Sequence, residues 1–187
     1  MANIDAPSGL TAIKHMEGGT IRAEEFTIAS DYATVIANGD LVTLSGTGRN
    51  ITKAGTTGAV LGVFTGCDYY EANGEYQIRN FWPGNDDGKT GIRAFVLSDP
   101  RIEYKIQADG DLVAANIGQN ANWAPGTVNT LLGRSGGELN IASLGSTATL
   151  QLKILGLTRD VDNAYGTNAK ARVMLNAHVY SVGNAGV

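Results

Sequence analysis

The chain has 187 residues, of which 25 are glycine and 17 % are charged, and its formal net charge is −4. That length suits a domain able to bury its own apolar core, while the glycine content, with abundant Thr, Val, Asn and Ala, speaks against long helices. The acidic balance and scattered Lys and Arg exclude a phosphate-backbone ligand, and no run of about 18 apolar residues offers a membrane span, so neither nucleic acid nor a membrane is an expected partner.

Residues 1–20 read as an extended N-terminal arm. Its apolar residues Ile4, Leu10, Ile13 and Met16 follow no clear period, and Pro7, Gly9, Gly18 and Gly19 interrupt it. Such an arm frays, lies along its own domain or reaches onto a neighbouring subunit. The opening MANIDAPSGLTAIKH lacks the basic start and apolar core of a signal peptide, so the protein is expected to stay where it is made. Residues 20–37 fit strand, turn, strand.

The stretch from Ile36 to Tyr70 is the centre of the pattern. It spells short β-strands at 40–44, 51–53 and 59–64, separated by glycine turns. The third is nearly all apolar, which predicts burial on both faces, and Gly62 and Gly66 predict bends or bulges that curl the sheet. Cys67, the only cysteine, permits no intramolecular disulfide and no multi-thiolate metal site, and reads as a buried small hydrophobe.

Tyr69, Tyr70, Tyr76, Phe81 and Trp82 then crowd around an Asn73-Gly74 hairpin signal. Aromatic residues so placed build a core, anchor a protein interface or stack on sugar rings. In WPGNDDGKTG at 82–91, Gly84 to Thr90 spells G-x-x-x-G-K-T. This is one residue short of a phosphate-binding loop and precedes a strand pattern at 92–97 rather than a helix, so it reads as an exposed loop.

Residues 102–107 alternate apolar and polar, predicting a half-buried strand. The tetrapeptide GDLV, at 39–42 and again at 110–113, reads as one turn-to-strand solution used twice. Residues 114–149 are rich in Asn, Gly, Ser and Thr and read as a loop-rich surface segment around Trp123. Strands near 150–154 and 172–180 are expected to pair antiparallel across the loop at 158–171, leaving a loose tail, SVGNAGV.

His15 falls in the arm and His178 on the outward face of the last strand, so neither reads as a base held by a carboxylate. GRSGG at 133–137 places Ser135 in a nucleophile-elbow pattern without the flanking strand and helix that an elbow needs. The pairs Asp86–Asp87, Asp109–Asp111 and Asp160–Asp162 lack the spacing of a calcium loop and read as turns. No catalytic, cofactor or metal set is expected. The fold expected is all-β: a small curled barrel or sandwich of short antiparallel strands with long loops, with arm 1–20 followed by a single β-rich domain at 21–187.

Taken in order, the opening MANIDAPSGLTAIKH, NGDLV with LGVFTGCDYY, the NFWPG turn, VLSDP and VMLNAHV resemble the head decoration, or cement, proteins of tailed bacteriophages. The resemblance implies a non-enzymatic virion protein on the outer surface of the capsid, commonly a homotrimer, bridging capsomers of the major capsid protein. The candidate capsid or subunit contacts are the arm (Ile4, Leu10, Ile13, Met16), the aromatic run (Tyr69, Tyr70, Phe81, Trp82) and Trp123. Removing residues 1–19 is then expected to weaken binding and leave the fold intact. The competing reading is a β-sandwich carbohydrate-binding module whose aromatic residues form a sugar platform and whose acidic turns hold calcium.

Overall fold

The computed structural model describes residues 3–46, 48–84 and 88–181; the Asp86–Asp87 pair and the tail beyond Ser181 lie outside them. Its regular structure is nearly all β. The first half of the chain supplies β1 (Thr11–His15), β2 (Glu24–Ile28), β3 (Ile36–Ala37), β4 (Leu41–Leu44), β5 (Asn50–Lys53), β6 (Gly62–Tyr70), β7 (Tyr76–Arg79), β8 (Phe81–Trp82) and β9 (Thr90–Leu97). The second half adds β10 (Ile102–Gln107), a 3-10 turn at Ala114–Asn116, β11 (Asn120–Ala124), β12 (Glu138–Gly145), β13 (Leu152–Leu157) and β14 (Lys170–Leu175).

Strands β4, β5, β2, β9 and β6 form a closed barrel, because β4 also pairs with β6. The nine-residue β6 is long enough to serve two neighbours on one side. Gly62 and Val63 pair with β4, and Cys67 to Tyr70 pair with β7. A register shift between Phe64 and Gly66 separates the two stretches, the bulge that the glycines predicted. Gly62 is there because a Cβ would lie 2.3 Å from the Leu97 carbonyl oxygen. Strand β2 pairs with β5 in parallel, whereas only antiparallel pairs were expected. The second sheet, β1-β10-β14-β13-β11-β12, curls until Ala108 at the end of β10 bridges to Leu139 of β12.

Strand alternation links the two halves. Val42, Phe64 and Val96 face one core with Phe26, Ile28 and Ile51, while their chain neighbours Leu41, Val63 and Leu97 face the other with Tyr104, Trp123, Ile154 and Val173. Burial of β4, β6 and β9 on both faces follows from apolar residues at consecutive positions. Each fully buried large apolar side chain contributes roughly 1.5–3 kcal/mol.

Strand β10, the segment 114–149 and the second GDLV also depart from the sequence pattern. Strand β10 is buried on both faces rather than half-buried, because its polar side is covered: Glu103 takes Lys14 at 3.6 Å and Arg172 at 3.2 Å, and the Gln107 amide donates to Asp5 and Glu138 while accepting from the Ala6 N–H. The segment 114–149 is not surface loop throughout. It supplies β11 and β12 and buries Ala121, Trp123 and Leu139. Small residues make this possible, since a Cβ at Gly137 would sit 2.2 Å from the Trp123 indole nitrogen, and the Gln151 side chain replaces a ladder partner by accepting from the Trp123 N–H at 3.0 Å. Finally, the second GDLV leads into the 3-10 turn and not a strand.

Candidate functional site

The N-terminal segment takes the course along its own domain. The Gly9 N–H donates to Gly137 of the second sheet, the Leu10 N–H donates to Gly39 of the barrel at 2.9 Å, and the Leu10 side chain is buried in the core. Asn3 is held by Ala164 and Thr167. Strand β1 then pairs with β10, with Ile13 as the extra residue of a bulge. The expectation that residues 1–19 could be removed without harm to the fold is therefore corrected: they contribute a strand and a core residue joining both halves.

Pinned in this way, the segment presents Ile4, Ile13 and Met16 to solvent, Ile4 at 69 % exposure. Beside Ile13 lies a groove of about 330 Å³ with Lys14, Glu103, Lys105, Arg159 and Arg172 in its walls.

The aromatic run divides by strand parity. Tyr69 and Trp82 are fully buried, edge to face at 5.6 Å, and the Trp82 indole donates to the Tyr32 carbonyl. Trp123 and Leu10 are buried too, so these four side chains pack the interior and are corrected as contact candidates. Phe81 is half-buried beneath the Arg79 guanidinium. Tyr70 is exposed and meets Tyr76 across the hairpin at 5.2 Å. Ile78 was missed, although an isoleucine between Gln77 and Arg79 in a short strand was the available signal; so was Leu131, 92 % exposed in the turn that Asn80 holds through the Leu132 carbonyl.

Beneath the hairpin a charged ladder crosses three strands. Arg93 of β9 donates to Asp68 of β6 from Nε at 2.8 Å, and the Tyr76 hydroxyl of β7 donates to the same carboxylate at 2.7 Å. Burial alone would raise the Asp68 pKa, but these hydrogen bonds outweigh it and hold the carboxyl below its ordinary value.

The groups with chemical potential are tied into the fold. Burial, then the Asp68 charge, pushes the Cys67 thiol up to about 12, the opposite of an activated nucleophile. Ser135 is buried and its hydroxyl accepts from the Gly137 N–H, a turn bond. Lys89 of the would-be phosphate loop pairs with Glu71 at 3.6 Å and lies over the Tyr69 ring, and Thr90 opens strand β9. Among the described residues no cluster of three or more His, Cys, Asp or Glu side chains could hold a metal ion.

Both histidines differ from expectation. His15 does contact a carboxylate, Asp99, 84 residues away in sequence and 2.9 Å in space. Its Nδ1 accepts from the Glu17 N–H, so Nε2 carries the proton and donates to Asp99, fastening the end of β1 to the turn before β10. His178 is not on an outward face. Strand β14 ends at Leu175, and the chain then passes beside Val60, leaving His178 fully buried. Its Nε2–H donates to the Leu61 carbonyl at 2.7 Å while Nδ1 accepts from the Tyr180 N–H.

Burial lowers the His178 pKa more than its hydrogen bonds and Asp99 raise it. Protonation would also turn Nδ1 from acceptor into donor, opposing the Tyr180 N–H. With a folded-state pKa below the unfolded one, His178 contributes stability that is present above the ordinary histidine value and lost as pH falls through the folded pKa. Asp68 and Asp99, also lowered, act with the same sign in the carboxylate range. Stability is thus expected to fall in two stages on acidification, and His178→Gln should remove the first. Urea denaturation from pH 7.5 to pH 3 checks this; identical upper-stage slopes in both proteins would contradict it.

Comparison with protein-family models, curated proteins and solved structures finds no match for this chain.

Proposed function

We propose that this chain is a virion structural protein that decorates the outside of a tailed-phage capsid and bridges its capsomers. The observation that carries the reading is the pinned N-terminal segment, which keeps Ile4, Ile13 and Met16 outside although its backbone is tied to both halves of the molecule. Ordered beforehand, these side chains can cover a neighbouring protein without the entropy cost of ordering a free arm. The exposed Tyr70, Tyr76 and Ile78 on the barrel supply a second patch, and two patches suit bridging. The resemblance of the sequence motifs, taken in order, to those of decoration proteins supports the same reading.

Binding across seams of an expanded lattice would stabilise that lattice by linkage, and a homotrimer touching several capsomers would gain effective concentration with each contact. The protein is expected to co-sediment with expanded heads of the phage that encodes it and not with unexpanded ones. The triple variant Ile4→Asp, Ile13→Asp, Met16→Asp should weaken that binding by at least about tenfold, since three apolar contacts become charged, with an unchanged melting temperature. Equal binding by the variant would refute the proposed contact surface. Retention on a polysaccharide column with no binding to heads would favour the carbohydrate-module reading instead.

A further inference from the structure

We propose that β7 is a self-pairing edge: two copies of this chain join their β7 strands antiparallel about a two-fold axis at Gln77, continuing the barrel sheet from one molecule into the next.

Among the described residues strand β7 ends its sheet, with β6 as its partner on one side and no strand on the other. Hydrogen-bond parity shows what the open side offers. The Glu71 N–H donates to the Glu75 carbonyl at 2.9 Å, so residues 71 and 75 form a bonded pair, and the same alternation makes Tyr69↔Gln77 and Cys67↔Arg79 bonded pairs. Tyr76 and Ile78 therefore turn their backbone N–H and C=O groups away from β6.

Exposed edges in soluble proteins are blunted by bulges, lysines or prolines. Strand β1 has both a bulge at Ile13 and a lysine, Lys14. Strand β7 has none of these: its register with β6 is unbroken from Cys67↔Arg79 to Tyr70↔Tyr76, and Ile78 is 72 % exposed. Tyr76 is held in place on it, its hydroxyl donating to Asp68 and its ring meeting the Tyr70 ring.

The sequence of the edge identifies its occupant. Residues 75–79 read Glu-Tyr-Gln-Ile-Arg. Pairing must match outward-facing residues with outward-facing residues, and a two-fold at Gln77 does so, setting Tyr76 opposite Ile78 of the second copy. On the other face the same register sets Glu75 opposite Arg79 of the second copy, twice by symmetry. One register thus satisfies the open backbone groups, pairs the exposed apolar side chains and neutralises both charges, which makes the patch self-complementary in the manner of an isologous interface. The pairing needs two copies of this chain and no shell; it gives the second patch of the decoration reading to another copy of the chain and leaves Ile4, Ile13 and Met16 exposed for a shell, so its test does not depend on one.

Gln77 on the axis forms a non-hydrogen-bonded pair with its symmetry mate, with Cα atoms about 4.5 Å apart, within disulfide reach. Gln77→Cys should therefore form a disulfide dimer under mild oxidation at least about tenfold faster than Thr56→Cys, a control in an exposed turn. The native Cys67 is buried and does not compete. Adding Glu75→Arg or Arg79→Glu to Gln77→Cys places like charges opposite each other twice and should slow cross-linking about fivefold, whereas mixing those two double variants should restore it. Cross-linking of Gln77→Cys at the Thr56→Cys rate, or indifference to the charge changes, would overturn the proposal.

Discussion

Lys53→Met is expected to destabilise the protein by about 3–5 kcal/mol, lowering the melting temperature by roughly 6–20 °C for a chain of this size. Asp40 follows the Gly39 turn into β4, and its side chain is fully enclosed. Its Oδ2 accepts from the Ala37 N–H at 2.9 Å and from the Lys53 ammonium of β5 at 2.8 Å. Lys53 is itself 14 % exposed and points under the second core, 5.7 Å from the Trp123 ring. Removing the ammonium leaves a carboxylate in a place where water does not reach it, and the desolvation cost is no longer offset. The double variant Asp40→Asn, Lys53→Met should regain much of the loss, because no charge remains buried. Chemical denaturation of the two variants tests this directly. A loss below about 1 kcal/mol for Lys53→Met would mean that the pair behaves as a surface ion pair.

Local patterns in the chain were legible where neighbouring residues decided the structure. The apolar run at 59–64 announced burial on both faces, Gly62 and Gly66 announced a bulge, and the alternation near 150–154 and 172–180 announced the antiparallel pair that β13 and β14 form. Illegible features depended on partners distant in sequence. Glu103 and Gln107 look like solvent-facing residues until Lys14, Arg172 and Asp5 cover them, and His15 looks unattended until folding brings Asp99 to it. The same limit governed the candidate contacts. Tyr69 and Tyr70 are adjacent and chemically identical, yet strand parity buries one and exposes the other, and a register shift at Gly66 decides which. Composition misled at 114–149 because Gly137 lets the chain approach Trp123 closely, and Ser143 and Asn122 accept hydrogen bonds that join neighbouring segments, rather than loosening a loop.

Trp123 separates the two views of that segment most sharply. As a surface contact, its replacement by alanine would leave stability unchanged and weaken binding. As found, with the ring fully enclosed among the residues of the larger core, Trp123→Ala should cost about 3–5 kcal/mol, since a cavity of indole size opens between β11 and the barrel-facing strands. The same change in Leu131 should stay within about 0.5 kcal/mol, as expected for a surface position. Trp123→Phe should fall well short of the alanine loss for a separate reason. The buried indole N–H has no hydrogen-bond partner among the described residues, so phenylalanine removes an unsatisfied donor while keeping most of the ring volume. Thermal melts of the three variants decide the matter: an alanine variant as stable as the native protein would return Trp123 to the surface, and a phenylalanine variant as damaged as the alanine one would mean that the indole nitrogen is engaged after all.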